Sequence, residues 1–99
     1  MIGAWHNGST VADAAADLTL RANSYDLSDA TGVSLGDMGV NGTEIDFFNA
    51  QPCGLTLPDG VGRYQWSIQG SVLHFIALNQ DPCGRTHHLA GQSFTRTSS

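Results

Sequence analysis

Histidine and tyrosine side chains offer the most evident chemistry in this sequence, because imidazoles and phenols can bind metals or move protons. His87 and His88 are adjacent, and adjacent residues of a strand point to opposite faces, so the pair is not expected to chelate one ion. We therefore predict no metal site and no cofactor. Strand alternation places His87 inside the fold near Tyr25 and Tyr64, where a neutral imidazole beside a phenol can act as a general acid or base. These three residues are therefore catalytic candidates. The alternative is a structural role, in which the buried histidine only forms a hydrogen bond with a tyrosine hydroxyl.

A predicted hairpin, GRYQWSIQGSVLHFIALNQDPCG (residues 62 to 84), concentrates aromatic side chains on one face. Apolar residues alternate on both sides of Gly70, which is the pattern of two half-buried strands. Such a face either fills the core of a barrel or lines a cavity that receives a ligand. The candidate ligand-binding residues on the inner face are Tyr25, Phe47, Tyr64, Trp66, Phe75 and His87.

Two cysteines, Cys53 and Cys83, each lie within a Pro-Cys-Gly triplet. Their spacing is not a zinc pattern, because no Cys-x-x-Cys pair or closely spaced cysteine and histidine set accompanies them. A disulfide between them is predicted and would stabilise the fold by about 3 to 4 kcal/mol. The alternative is a pair of buried thiols in a reducing compartment. Secretion is favoured if the cysteines are bridged, and a cytoplasmic location otherwise.

Length and charge restrict the classes of protein to which the chain can belong. Its 99 residues predict one domain over 1–99 with a modest core. Twelve glycines and the lack of lysine give weak helix propensity and many turns. The formal charge of −5 disfavours contact with nucleic acid and with anionic membranes, so neither is an expected partner.

Turn signals divide the chain into short runs, several of which alternate apolar and polar residues. Short connections favour antiparallel pairing between sequential strands. Residues 38–54 and 64–84 also resemble each other as two similar hairpins, which is too few copies for a repeat array. We predict an all-β fold: a single antiparallel up-and-down β-barrel of about eight strands. The predicted segments are Ile2 to His6, Asp17 to Ala22, Ser24 to Ser28, Asp37 to Val40, Glu44 to Phe48, Arg63 to Ile68, Val72 to Leu78, Thr86 to Ala90 and Ser93 to Arg96, with a helical turn around Val11 to Ala16.

One predicted strand, VLHFIAL, is apolar on both of its faces. Leu73, Phe75 and Ala77 are expected to point inward. Val72, Ile76 and Leu78 then lie outside, where they either sit under a loop or form a homodimer contact.

Residues at the two ends of the chain resemble the calycin superfamily of lipocalins, fatty-acid-binding proteins and avidins. Gly3-Ala4-Trp5 opens the first predicted strand and Arg96 closes the last. The resemblance implies that the Arg96 guanidinium stacks on the Trp5 indole and closes one end of a barrel. Trp5 and Arg96 are therefore assigned a structural role.

The C-terminal third resembles small uncharacterised lipocalin-like domains of actinobacteria. The residues that carry this resemblance are Gly62-x-Tyr64-x-Trp66, Gly70-x-x-Leu73-x-Phe75, Asp81-x-Cys83-x-Arg85, Leu89 and Phe94-x-Arg96. The lipocalin Thr-Asp-Tyr loop motif is absent from the chain.

Three functions follow from these residues. The first is a barrel that binds a small apolar or aromatic molecule in its interior. The second is a cyclase or isomerase of secondary metabolism that uses the same interior as its active site, with His87 or a tyrosine moving a proton. The third is a protein-binding module, such as a protease inhibitor, with a solid core. Interior volume separates the third function from the other two.

Overall fold

The computed structural model describes residues 2–10, 14–29, 32–51, 60–83 and 85–98. The described residues form eight strands and one short helix. The elements are β1 (Gly3–Asn7), β2 (Ala16–Leu20), β3 (Ser24–Asp29), β4 (Gly32–Asn41), β5 (Glu44–Gln51), β6 (Gly62–Gln69), β7 (Val72–Ala77), α1 (Thr86–Leu89) and β8 (Ser93–Ser98).

The strands close into one antiparallel barrel in chain order. Each strand pairs with the next, and β8 returns to pair with β1 through Trp5 and Arg96. This confirms the predicted all-β meander and its number of strands. Because the barrel closes, its strands leave no unpaired edge.

The two ends of the barrel differ in their connections. At the end that we call the turn end, two-residue turns follow β4 and β6, and Gly42 and Gly70 adopt φ values of 63° and 65° there. These are the left-handed conformations that favour glycine in tight hairpins. The opposite end, the loop end, holds the longer connections after β1, β5 and β7, and α1 lies within the last of them.

Alternation along the strands gives the barrel an apolar interior. The predicted inward residues Leu18, Leu20, Leu27, Ile45 and Leu73 are all buried. The six aromatic side chains that complete this core are Trp5, Tyr25, Phe47, Tyr64, Phe75 and Phe94.

The segment Thr86 to Ala90 was predicted as a strand, and that prediction is wrong. Residues 86–89 form α1, in which the amides of Leu89 and Ala90 donate to the carbonyls of Arg85 and Thr86. A strand is not needed there because β8 already pairs with β7 and completes the barrel. The helix instead crosses the loop end and buries Leu89 against the core.

Strand β4 is longer than predicted, since it begins at Gly32 rather than at Asp37. Its glycines weaken the strand signal in the sequence. Gly36 is required by packing, because a Cβ at that position would lie 2.7 Å from Cε1 of Tyr25. The predicted helical turn around Val11 to Ala16 falls partly outside the described residues, and its last residue, Ala16, opens β2.

Candidate functional site

The aromatic side chains predicted to line a cavity pack directly against one another. Edge-to-face contacts join Tyr25 to Phe47, Phe47 to Tyr64 and Phe47 to Phe75, with ring centroids 4.8, 5.7 and 6.3 Å apart. These four side chains are at most 2% exposed. A residue that lined a water-sized cavity would expose surface to it. The rings therefore form a solid core, and a ligand could reach them only by displacing them.

A buried ion pair lies at the loop end beneath this aromatic core. Asp81, just after β7, and Arg85, just before α1, form a two-pronged contact: Arg85 Nε donates to Asp81 Oδ2 at 2.7 Å and Nη2 donates to Oδ1 at 2.8 Å. Arg85 Nη1 also donates to the Tyr25 hydroxyl, and Nη2 to the Gly60 carbonyl. The Tyr64 hydroxyl donates to Asp81 Oδ2 at 2.7 Å.

Asp81 and Arg85 are both well hydrogen-bonded in this loop-end network. Burial alone would raise the pKa of Asp81, but hydrogen bonds from Arg85, Tyr64 and the Cys83 amide outweigh it and lower the pKa. Gly62 makes room for the network, since a Cβ at that position would overlap the Asp81 carboxylate. The arrangement is that of a structural ion pair, and the sequence showed only the spacing Asp81-x-Cys83-x-Arg85 without its role.

The three catalytic candidates do not form an interior acid-base pair. His87 was predicted inside the barrel, and this is wrong, because His87 lies on α1 with an exposed side chain. Tyr25 and Tyr64 are inside, where their hydroxyls contact Arg85 and Asp81 respectively. Burial raises the pKa of Tyr64, so its phenol holds the proton firmly. Loss of the Tyr64 proton is therefore disfavoured.

The turn end presents apolar side chains that the core does not cover. Val40 and Ile68 pair with buried Ile45 and Leu73 and so share the inner face, yet they are 47% and 38% exposed. Trp66, two residues before Ile68, lies on the inner face of β6 and is only partly buried. We call Val40, Trp66 and Ile68 the turn-end lip. The Trp66 indole Nε1 is buried and has no hydrogen-bond partner in the described part of the chain.

Across the same end, Arg96 covers Trp5. The guanidinium carbon lies 4.3 Å from the centroid of the indole, and Arg96 Nη1 donates to the Ile2 carbonyl at 2.7 Å. The predicted cation–π contact is present. Trp5 is 1% exposed, so of the two tryptophans only Trp66 has surface that a ligand can reach without moving other side chains.

Cys53 lies outside the described residues, so the disulfide with Cys83 stays a prediction. Cys83 follows Asp81 by two positions and donates its amide to that carboxylate at 3.0 Å. Among the described residues, no group of three or more histidine, cysteine or acidic side chains has a metal-binding arrangement. In the same residues, no helix is long and apolar enough to cross a membrane.

The outer face of β7 is also exposed in part. Ile76 and Leu78 are 61% and 49% exposed, whereas Val72 is partly buried. The predicted homodimer contact through these three residues stays a prediction.

Comparisons with known proteins identify no relative of this chain. No protein-family model, curated protein or solved structure matches it. The resemblance to calycins therefore stays a prediction, and functional interpretation depends on the geometry alone.

Proposed function

We propose that the barrel binds a small apolar or aromatic molecule at its turn end, against the turn-end lip rather than among the packed rings. The observation that carries this proposal is the Trp66 indole N–H, which is buried without an acceptor among the described residues. A buried donor in this state costs about 1 to 3 kcal/mol. A ligand with one acceptor oxygen recovers that cost when it displaces the groups that cover the indole N–H.

The exposed surface of the lip supports the same ligand class. Val40 and Ile68 offer apolar area on the inner face, and covering such area contributes about 25 cal/mol per Å². The lip itself carries no charged group, so it favours uncharged molecules. The ligand that fits is thus apolar or aromatic, with a single carbonyl, ether or hydroxyl oxygen for Trp66.

The test is a titration with 6-propionyl-2-(dimethylamino)naphthalene, an uncharged fluorescent aromatic probe that carries one carbonyl oxygen. We expect probe fluorescence to rise and Trp66 emission to fall on binding. Val40→Ser and Ile68→Ser each remove apolar contact and should weaken binding about tenfold, which corresponds to about 1.4 kcal/mol. Both residues are exposed, so the barrel should remain folded. Ile76→Ser is the matched control, because it makes the same kind of change on the outer face.

Two outcomes would overturn this proposal. The first is a wild-type protein that binds neither the probe nor any uncharged aromatic molecule. The second is an Ile76→Ser variant that loses as much affinity as Val40→Ser, which would place the probe on the outside of the barrel.

A second candidate function is association with a second copy of this chain through the outer face of β7. The high exposure of Ile76 and Leu78 favours it, and a two-fold dimer would place this patch against itself. Sedimentation velocity over a range of protein concentrations tests this function. A dimer that Ile76→Ser converts to monomer supports it, and a wild-type monomer at high concentration contradicts it.

A further inference from the structure

A groove lined by hydroxyl and amide side chains lies on the outside of the barrel at the loop end. Its volume is about 600 Å³. Residues 7–10, at the end of β1 and the start of the following loop, form one wall, and residues 91–93, in the turn before β8, form the other. His6 and Thr95 also line the groove, and they lie directly opposite each other on β1 and β8. The groove is separate from the turn-end lip, so its role is independent of the function proposed above.

The side chains of the groove are rich in hydrogen-bonding groups. Ser9, Thr10, Ser93 and Thr95 contribute hydroxyls and Gln92 an amide, and each such side chain can both donate and accept. The described lining holds no lysine or arginine to balance an anion and no large apolar side chain to cover an apolar ligand. A neutral molecule with many hydroxyls matches this lining best.

His6 is oriented to accept a hydrogen bond in the groove. Its Nδ1 lies 2.6 Å from Asp17 Oδ1. Because a carboxylate accepts hydrogen bonds, this contact favours a proton on Nδ1, and in the neutral imidazole Nε2 is then the acceptor. A Cβ on Gly8 would lie 3.2 Å from Nε2, so this edge of the ring borders the groove wall.

Asn7 fixes the wall that faces the turn before β8. Its side chain is almost fully buried, and Nδ2 donates to the carbonyls of Ala14 and His88 at 2.7 and 3.2 Å. Its Oδ1 accepts the amide of Ser9 at 2.9 Å. These bonds tie the β1–β2 connection to α1, and a wall held in this way loses little conformational entropy when a ligand binds.

We propose that this loop-end groove binds a neutral saccharide of one or two sugar units, with a sugar hydroxyl donating to His6 Nε2. The Thr95 hydroxyl bonds a neighbouring sugar hydroxyl from the adjacent strand. The groove has the volume of a small-molecule site. Its open form, lined by hydroxyl and amide side chains, fits a ligand that keeps part of its surface in water.

The experiment is an NMR titration of the ¹⁵N-labelled protein with glucose, maltose and trehalose. We expect at least one sugar to shift the amides of residues 8–10 and 91–95 while the Trp66 indole signal stays unchanged. Thr95→Val keeps the side-chain shape and removes only the hydroxyl, and His6→Phe keeps a ring without the acceptor. Each should weaken binding about fivefold, as expected for one lost hydrogen bond. Thr19→Val, on the outer face of β2, is the matched control and should bind normally.

Three results would contradict the saccharide proposal. Absence of amide shifts with all three sugars overturns the saccharide assignment, and so does wild-type affinity in both Thr95→Val and His6→Phe. Inorganic phosphate that shifts the same amides more strongly than any sugar would show an anion site in its place. Because the titration monitors the loop-end groove and the probe assay monitors the turn-end lip, failure of one proposal leaves the other standing.

Discussion

At the residue scale, the buried pair of Asp81 and Arg85 is the most constrained feature of the loop end. Each charge is removed from water, and the cost of that removal is offset by the partner together with Tyr25, Tyr64 and the Gly60 carbonyl. A pair of this kind stabilises the fold only as a unit. Its members are far more costly to remove singly than together.

Arg85→Met should therefore lower the free energy of unfolding by about 3 to 5 kcal/mol, because it leaves Asp81 charged and buried without its partner. The double variant Asp81→Leu with Arg85→Met should recover a large part of that loss. Urea denaturation measures both effects. A single variant within 1 kcal/mol of the wild type would show that the pair is not buried in solution.

Asp46 is a second residue whose environment shifts its pKa and so makes the stability of the fold depend on pH. It lies on the outer face of β5, opposite Arg63 on β6. Burial and the neighbouring Glu44 carboxyl raise its pKa to about 6, against an ordinary value of 3.8. A carboxyl with a raised folded pKa stabilises the fold when it is protonated. That contribution is complete below the ordinary value and is lost as the pH rises through about 6.

We expect Asp46→Asn, which keeps a neutral side chain at every pH, to unfold at a higher temperature than the wild type above pH 7. The difference should shrink as the pH falls through about 6. Thermal unfolding across this range compares the two proteins directly. Glu44→Gln removes one cause of the raised pKa and should move the transition to lower pH. Parallel curves for wild type and Asp46→Asn would contradict the assignment.

At the element scale, strand alternation predicted the barrel well because the inner face is almost continuously apolar. Leu18, Tyr25, Phe47, Tyr64 and Phe75 all point inward as expected. The alternation rule failed in the connection after β7, where the hydrogen bonds of Arg85 and the closure of the barrel by β8 decide the backbone conformation. These are long-range effects that a local pattern does not contain, and they turn His87 outward.

Only some features of the two ends of the barrel could be predicted from the sequence. The Trp5 and Arg96 contact was predicted from the resemblance to calycins, and it is present in the structure. The buried role of Asn7 was not predicted, since Asn7-Gly8-Ser9 has the composition of an exposed turn. Its three hydrogen bonds become visible only when the β1–β2 connection and α1 are brought together.

The contact between Arg96 on β8 and Trp5 on β1 can be tested by its effect on stability. Arg96→Ala removes the contact with the indole and the hydrogen bond to the Ile2 carbonyl, and should lower the free energy of unfolding by about 1 kcal/mol. Arg96→Lys keeps the charge without the planar guanidinium and should recover part of it. Chemical denaturation measures the series. An unchanged midpoint for Arg96→Ala would mean that the contact does not close the barrel.

At the scale of the whole molecule, the protein is a small barrel with a solid centre and two chemically different ends. Aromatic rings fill the middle, and both proposed binding surfaces lie at the ends of the barrel. The turn-end lip is apolar and the loop-end groove is lined by hydroxyl and amide side chains. This division predicts that each end takes a different class of molecule.

In the proposed complex, a ligand contacts Trp66 at the turn end and leaves the packed rings of the core in place. The two tryptophans give two indole N–H signals in a ¹⁵N NMR spectrum, and Trp5 is covered by Arg96. On titration with 6-propionyl-2-(dimethylamino)naphthalene, whose carbonyl oxygen can accept from the indole, we expect the Trp66 indole signal to move to the position of a hydrogen-bonded N–H while the Trp5 signal stays in place. A Trp66 signal that does not change at saturating probe, or equal movement of both signals, would contradict binding at the turn end.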